Sequence, residues 1–169
     1  MATVKDVARM AEKLFPPENV CMQDYIGLSV GDENAAVNKV LVCLDCTESV
    51  VAEAAEKGAQ MIFAHHPLIF GTISSVTKNT PVGRIILAAA KNGINVYSAH
   101  TNMDCSRGGI TEFVADIIGL KNAQPLIEVN QNACLGLVGN LENAVPVADF
   151  ADEIGKKLSD RHVKTYGKD

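Results

Sequence analysis

The chain has 169 residues, 47% of them hydrophobic and 21% charged, with a net charge of −5. These values fit a globular chain long enough to bury its own core and exclude disorder over its whole length. No basic run exceeds Lys156-Lys157, which argues against a general nucleic-acid binder, and no apolar stretch nears the ~20 residues that span a bilayer.

The first six residues carry an acid early and lack the basic-then-apolar pattern of a signal peptide. Five Cys, an odd number, then point to reduced thiols rather than a disulfide framework. A cytoplasmic location is the expectation from both. Aromatics are scarce at 5%, so the core must be aliphatic.

Val4, Val7, Ala8, Ala11 and Leu14 recur at helical spacing, with Thr3 placed to cap and Pro16-Pro17 placed to stop the helix. Residues 25–30 form a short edge strand closed by Gly31-Asp32. Residues 40–44 are a compact apolar run, as in a strand covered on both faces. Thr47 caps a helix over 48–57, which Gly58 ends. Residues 61–64 are a second buried strand, followed at once by His65-His66-Pro67. Thr80-Pro81 opens a helix to about Asn92, and 94–99 is a third strand. A polar loop over 100–107 leads into a helix over 109–118, closed by Gly119.

Strands and helices thus alternate, which predicts a three-layer α/β domain of βαβ units around a largely parallel sheet, over residues 1–121. Composition shifts after Leu120. Residues 122–125 read as a linker, 126–140 as one or two strands, 146–158 as an amphipathic helix and 163–166 as a final strand. Residues 122–169 are therefore expected to begin a second α/β lobe and to leave it incomplete.

In parallel sheets, ligands bind at the carboxyl ends of the strands. That rim receives Asp45 and Cys46 from the first parallel strand, His65 and His66 from the second, and His100 with Asp104 from the third. Imidazole and carboxylate suit Zn, Mn, Fe, Co or Ni. Adjacent His on extended backbone point to opposite sides, so the pair is expected to serve two neighbouring ions, one each. Two such ions activate water and clamp the reacting oxygens of a substrate. A plainer reading stands beside this one: His100 hydrogen-bonds within a turn, and Asp104 is an N-cap or Asx-turn residue. Cys43 and Cys46 have redox-motif spacing but fall inside and beyond a strand, so their thiols should diverge. Cys21 and Cys134 read as small buried apolar residues, and Cys105 as filler beside Asp104. Gly27 and Gly31 mark close backbone packing.

Four segments together resemble the NIF-three-like family, also known as GTP cyclohydrolase I type 2 homologues. They are Asp24-Tyr25-Ile26-Gly27-Leu28-Ser29-Val30-Gly31, Leu41-Val42-Cys43-Leu44-Asp45-Cys46-Thr47, the run from Met61 to Phe70 with its His-His-Pro, and Val96-Tyr97-Ser98-Ala99-His100-Thr101-Asn102-Met103-Asp104. The resemblance implies a dinuclear metal centre, with His65 and Asp104 on one ion, His66 on the other, and His100 in the pocket as a ligand-orienting or proton-moving group. It also implies a two-lobed subunit in a ring-shaped homohexamer. The family completes its site with a later His and Glu four residues apart, and no such segment precedes Asp169. On that ground a weaker metal site is expected here, with little catalysis by this chain alone and doubtful assembly into hexamers. The expected function is metal-dependent hydrolysis of a C–N or phosphoester bond in a small molecule. A non-enzymatic metal-handling or protein-interaction scaffold is the alternative.

Overall fold

The computed structural model describes residues 1–160 and 162–167. In chain order, β1 (Ala2–Thr3) runs into α1 (Val4–Leu14), and a 3-10 turn (Pro17–Asn19) follows. Then come β2 (Gly27–Val30), β3 (Ala36–Val37), β4 (Val40–Cys43), α2 (Glu48–Glu56), β5 (Met61–Ala64), α3 (Pro81–Lys91) and β6 (Asn95–Ser98). The chain continues through α4 (Thr101–Cys105), α5 (Ile110–Ile118), β7 (Lys121–Asn130), β8 (Ala133–Asn140) and α6 (Val147–Lys157).

The helix starts are written in local chemistry. The Thr3 hydroxyl accepts from the Asp6 amide at 3.2 Å while the Asp6 carboxylate accepts from the Thr3 amide at 2.9 Å, a reciprocal cap. The Thr47 and Thr80 hydroxyls accept from the amides of Val50 and Gly83, so each cap satisfies one of the donors that a helix start leaves unpaired.

The main sheet has the order β2-β6-β5-β4. β4, β5 and β6 are parallel and level at their ends, since Cys43 pairs with Ala64 and Ala64 with Ser98. Period-2 alternation divides their side chains between two cores. Ile62, Ala64 and Val96 pack with Val51 and Ala54 of α2 and with Ile85 and Ala89 of α3. Met61, Tyr97 and Ala99 pack on the opposite face with Val4 and Ala11 of α1. The result is the three-layer α/β arrangement expected.

Several local expectations give way. β2 is antiparallel to β6, with Gly27 opposite Ser98, so the sheet is mixed. Residues 122–125 lie inside β7, where Pro125 pairs with Leu137. A two-stranded ribbon is all edge, and its missing amide is tolerated there. Residues 163–166 take no strand pairing among the described residues. Within 100–107 the chain winds one short helix, α4. Cys21 and Cys134 are partly exposed rather than buried.

The β7–β8 ribbon and α6 sit beyond α5. The ribbon is tied back to the first half by the Ser106–Ala133 bridge and by the Asn130 amide, which donates to Glu18 O and Asn19 Oδ1. Among the described residues no helix is long and apolar enough to cross a membrane.

Candidate metal centre

The level strand ends set the site. Beyond β5 the backbone leaves the strand at a bend, held by the amides of His65 and His66 donating to Cys43 O and Leu44 O at 3.0 and 2.9 Å. Beyond β6, Ala99 donates to Ala64 O at 3.1 Å and delivers His100 to the same rim. One ring nitrogen each from His65, His66 and His100 lie within 4.8 Å of one another. The two adjacent rings do not diverge; their centroids are 5.0 Å apart, because the bend interrupts the strand alternation.

Each ring is held from behind by an oxygen. His65 Nδ1 meets Ala99 O at 3.1 Å, His66 Nδ1 meets Asp45 Oδ1 at 2.8 Å, and His100 Nδ1 meets both oxygens of Asp24 at 2.9 and 3.0 Å. A carbonyl or carboxylate only accepts, so in each case Nδ1 carries the proton and donates. Neutral imidazole then leaves Nε2 with a free lone pair, which is the tautomer a metal ligand needs. Asp104 Oδ1 stands 3.6 Å from His65 Nε2. That is too long for a hydrogen bond, and close to the ~3.4 Å between two ligand atoms sharing an ion at ~2.1 Å. Three imidazoles and a carboxylate fit a divalent ion of borderline softness. The sequence-derived set therefore comes together, with Asp104 beside His65 rather than inside the three-ring group.

The set is graded in exposure. His65 and His100 side chains are 15% and 19% exposed, whereas His66 is 44% exposed and opens the site to solvent. Phe70 stands edge-on to His100 and packs on Tyr25, forming an apolar lip.

Asp24 is the most enclosed acid here, 3% exposed at its side chain. Burial pushes its pKa up. The Thr101 hydroxyl, His100 and the amides of Tyr25 and Thr101 outweigh that and hold it below the ordinary 3.8.

Residues 2–169 match the model of the Duf34/NIF3 (NGG1p interacting factor 3) family. The chain belongs to the Duf34/NIF3 family. A GTP cyclohydrolase 1 type 2 homolog of Clostridium perfringens is 35% identical over 166 residues, 97% of this chain and 63% of that one. The chain thus spans less than two thirds of that relative's length. Among solved structures, Staphylococcus aureus protein SA1388 superposes with a TM-score of 0.83 at 27% identity, covering 94% of this chain and 66% of that one. A Bacillus cereus protein related to NIF3 does so with a TM-score of 0.69 at 39% identity, covering 74% and 34%.

For this Duf34/NIF3 chain, sequence reasoning missed the role of Asp24, 76 positions from His100. The reason is topological. Because β2 runs antiparallel, the segment before it lies at the rim where the parallel strands end. An all-parallel sheet would have sent Asp24 to the opposite edge. The sequence predicts Asp45 at the rim, and the structure adds its hold on His66.

Proposed function

We propose that this chain binds divalent metal through His65, His66 and Asp104, with His100 beside them at the same rim, and that the centre serves a dinuclear metal-dependent hydrolase. The observation that carries the reading is the uniform engagement of all three Nδ1 atoms by oxygen, which leaves Nε2 as the free ligand atom on each of three rings that bring one nitrogen apiece within 4.8 Å of one another.

In this reading His65 and Asp104 would hold one ion and His66 a second, and the metal would supply Lewis-acid activation of water and of the substrate oxygen. His100 accepts the proton at Nε2. The Asp24 carboxylate on its Nδ1 fixes the tautomer and stabilises the imidazolium formed. Phe70 and Tyr25 give the lip an apolar wall against which a small ring or acyl group can lie. The bond cut is of the C–N or phosphoester class, in a small molecule.

Metal analysis of protein stripped of ions and reloaded with Zn or Mn tests the first half. The wild type should retain metal through desalting, and His65→Ala and Asp104→Ala should retain several-fold less with unchanged circular dichroism. Turnover on a panel of nucleotides and phosphodiesters tests the second half. Tight metal uptake with no turnover by either this chain or a full-length relative would favour a metal-handling or interaction scaffold instead.

A further inference from the structure

α4 is five residues long, too short for a helix to hold itself together. It nevertheless fixes two rim positions, because His100 is its N-cap and Asp104 lies within it. Three buried polar side chains surround it: Asn19, Asn102 and Ser106, at 3%, 1% and 2% exposure. Asn102 acts at the start of the helix. Its Oδ1 accepts from the His100 amide at 2.9 Å, and its Nδ2 donates to Phe15 O at 2.7 Å. Ser106 acts at the end. Its hydroxyl donates to Asn102 O at 2.7 Å and accepts from Asn19 Nδ2 at 2.8 Å. Asn19 Oδ1 in turn accepts from Asn130 Nδ2 at 2.9 Å, and Asn130 is the last residue of β7.

Each link has one workable sense. Turning the Asn102 carboxamide over would set its NH2 against the His100 N–H and its oxygen against Phe15 O. Turning Asn19 over would set its NH2 against that of Asn130, and its oxygen would then draw the Ser106 proton away from Asn102 O. Buried donors and acceptors are costly to leave unpaired, so the set holds or shifts as a unit. The ribbon is joined to it a second time, since Ser106 also bridges Ala133 through its backbone.

We propose that Asn130, Asn19, Ser106 and Asn102 are positioning residues, through which the β7–β8 ribbon sets the placement of His100 and Asp104 at the rim. None of the rim side chains comes from the ribbon itself. Its hold runs through one carboxamide. Asn130 Nδ2 donates to Asn19 Oδ1 and to Glu18 O, while Asn130 Oδ1 accepts from the Asn132 amide at 2.8 Å and shapes the hairpin turn. Displacing the ribbon removes the donor that orients Asn19, and the change passes through Ser106 to both ends of α4. The consequence for catalysis rests on the metal reading above; the positioning does not.

The test uses the full, metal-free chain labelled with nitrogen-15. Asn130→Asp keeps the oxygen that shapes the turn and puts a second acceptor where the donor faced Asn19 Oδ1. Asn130 is exposed, so the variant should fold. Gln131→Glu places the same charge on the next exposed residue and serves as the control. For Asn130→Asp, the backbone amide resonances of His100 and Asp104 should shift, and deuterium exchange at the His100 amide should speed up several-fold. The amides of His65 and His66, which donate to Cys43 O and Leu44 O, should stay put, with unchanged circular dichroism. Ser106→Ala, which cuts the network at its middle by one oxygen, should move the same two amides. Shifts confined to residues 18–19 and the ribbon would overturn the proposal. So would equal shifts in Gln131→Glu, which mark an effect of charge, or shifts at His65 and His66 as large as those at His100 and Asp104, which mark a general loosening. None of these readouts uses metal, so they fail or succeed independently of the metal reading.

Discussion

Asp24 accepts from His100, from the Thr101 hydroxyl and from two backbone amides, and no other acid at the rim is so fully engaged. Its pKa is lowered in the folded state, so it contributes stability that is fully present above the unfolded-state value of about 3.8 and is lost as pH falls through the lower folded value. Asp24→Asn removes that term. Urea unfolding from pH 6 down to pH 3 should show the variant less stable than the wild type near neutrality, with the gap narrowing as the wild-type carboxylate protonates. A constant gap would contradict the linkage. Gly31 makes a second residue-scale case. Its φ is +122°, and a Cβ there would collide with the Asn95 side chain, which accepts from the Asp32 amide and donates to Gln60 O. Gly31→Ala should cost about 1–3 kcal/mol in chemical unfolding, from backbone strain and the displaced Asn95. Close packing at Gly31 was legible from the sequence, and its partner was not. Gly27 shares the positive φ but has open space where a Cβ would go, so its glycine is a matter of conformation alone.

At the scale of elements, the strands Val40–Cys43 and Met61–Ala64, and the helices capped by Thr3, Thr47 and Thr80, could be read directly, because capping chemistry and period are local, but β4 is not covered on both faces as its apolar run predicts: it is an edge strand with Val42 74% exposed. The direction of β2 could not, since four residues carry no signal for parallel or antiparallel pairing. The bend after Ala64 was equally hidden, and it decides whether His65 and His66 diverge or converge. β5 is the element whose loss should matter most, as both of its neighbours pair with it and Met61 and Ile62 are fully buried. Ile62→Ala should lower stability by about 2–5 kcal/mol in denaturant unfolding. It should also loosen the rim, because His65 and His66 directly follow this strand. Cys43 and Cys46 behave as strand and core residues. Burial, with Cys43 nearby, pushes the Cys46 thiol up to about 12. Iodoacetamide at pH 8 should therefore leave Cys46 unlabelled in the folded protein and label it once urea unfolds the chain. Fast labelling of the native protein would show that β4 and α2 open readily.

Across the whole molecule, the first half builds two buried cores around one sheet, whereas α6 buries no residue and the β7–β8 ribbon leaves Leu126, Ile127 and Val138 more than half exposed. Phe113 of α5 is likewise 64% exposed. Apolar surface of this kind favours association. The chain should sediment heavier than its 18.0 kDa monomer at micromolar concentration, and Phe113→Asp with Leu126→Asp should shift it toward monomer. The order of rim residues along the chain was readable because successive parallel strands end at one edge, whereas the carboxylates behind the imidazoles came from contacts far apart in sequence. The metal reading rests on imidazole nitrogens rather than on the nearby thiols or scattered acids. X-ray absorption at the zinc edge of the reloaded chain tests this most directly. The predicted spectrum contains at least two imidazole nitrogens at about 2.0–2.1 Å, lost in His65→Ala. Zinc held only by oxygens, or by thiolates at about 2.3 Å, would contradict it.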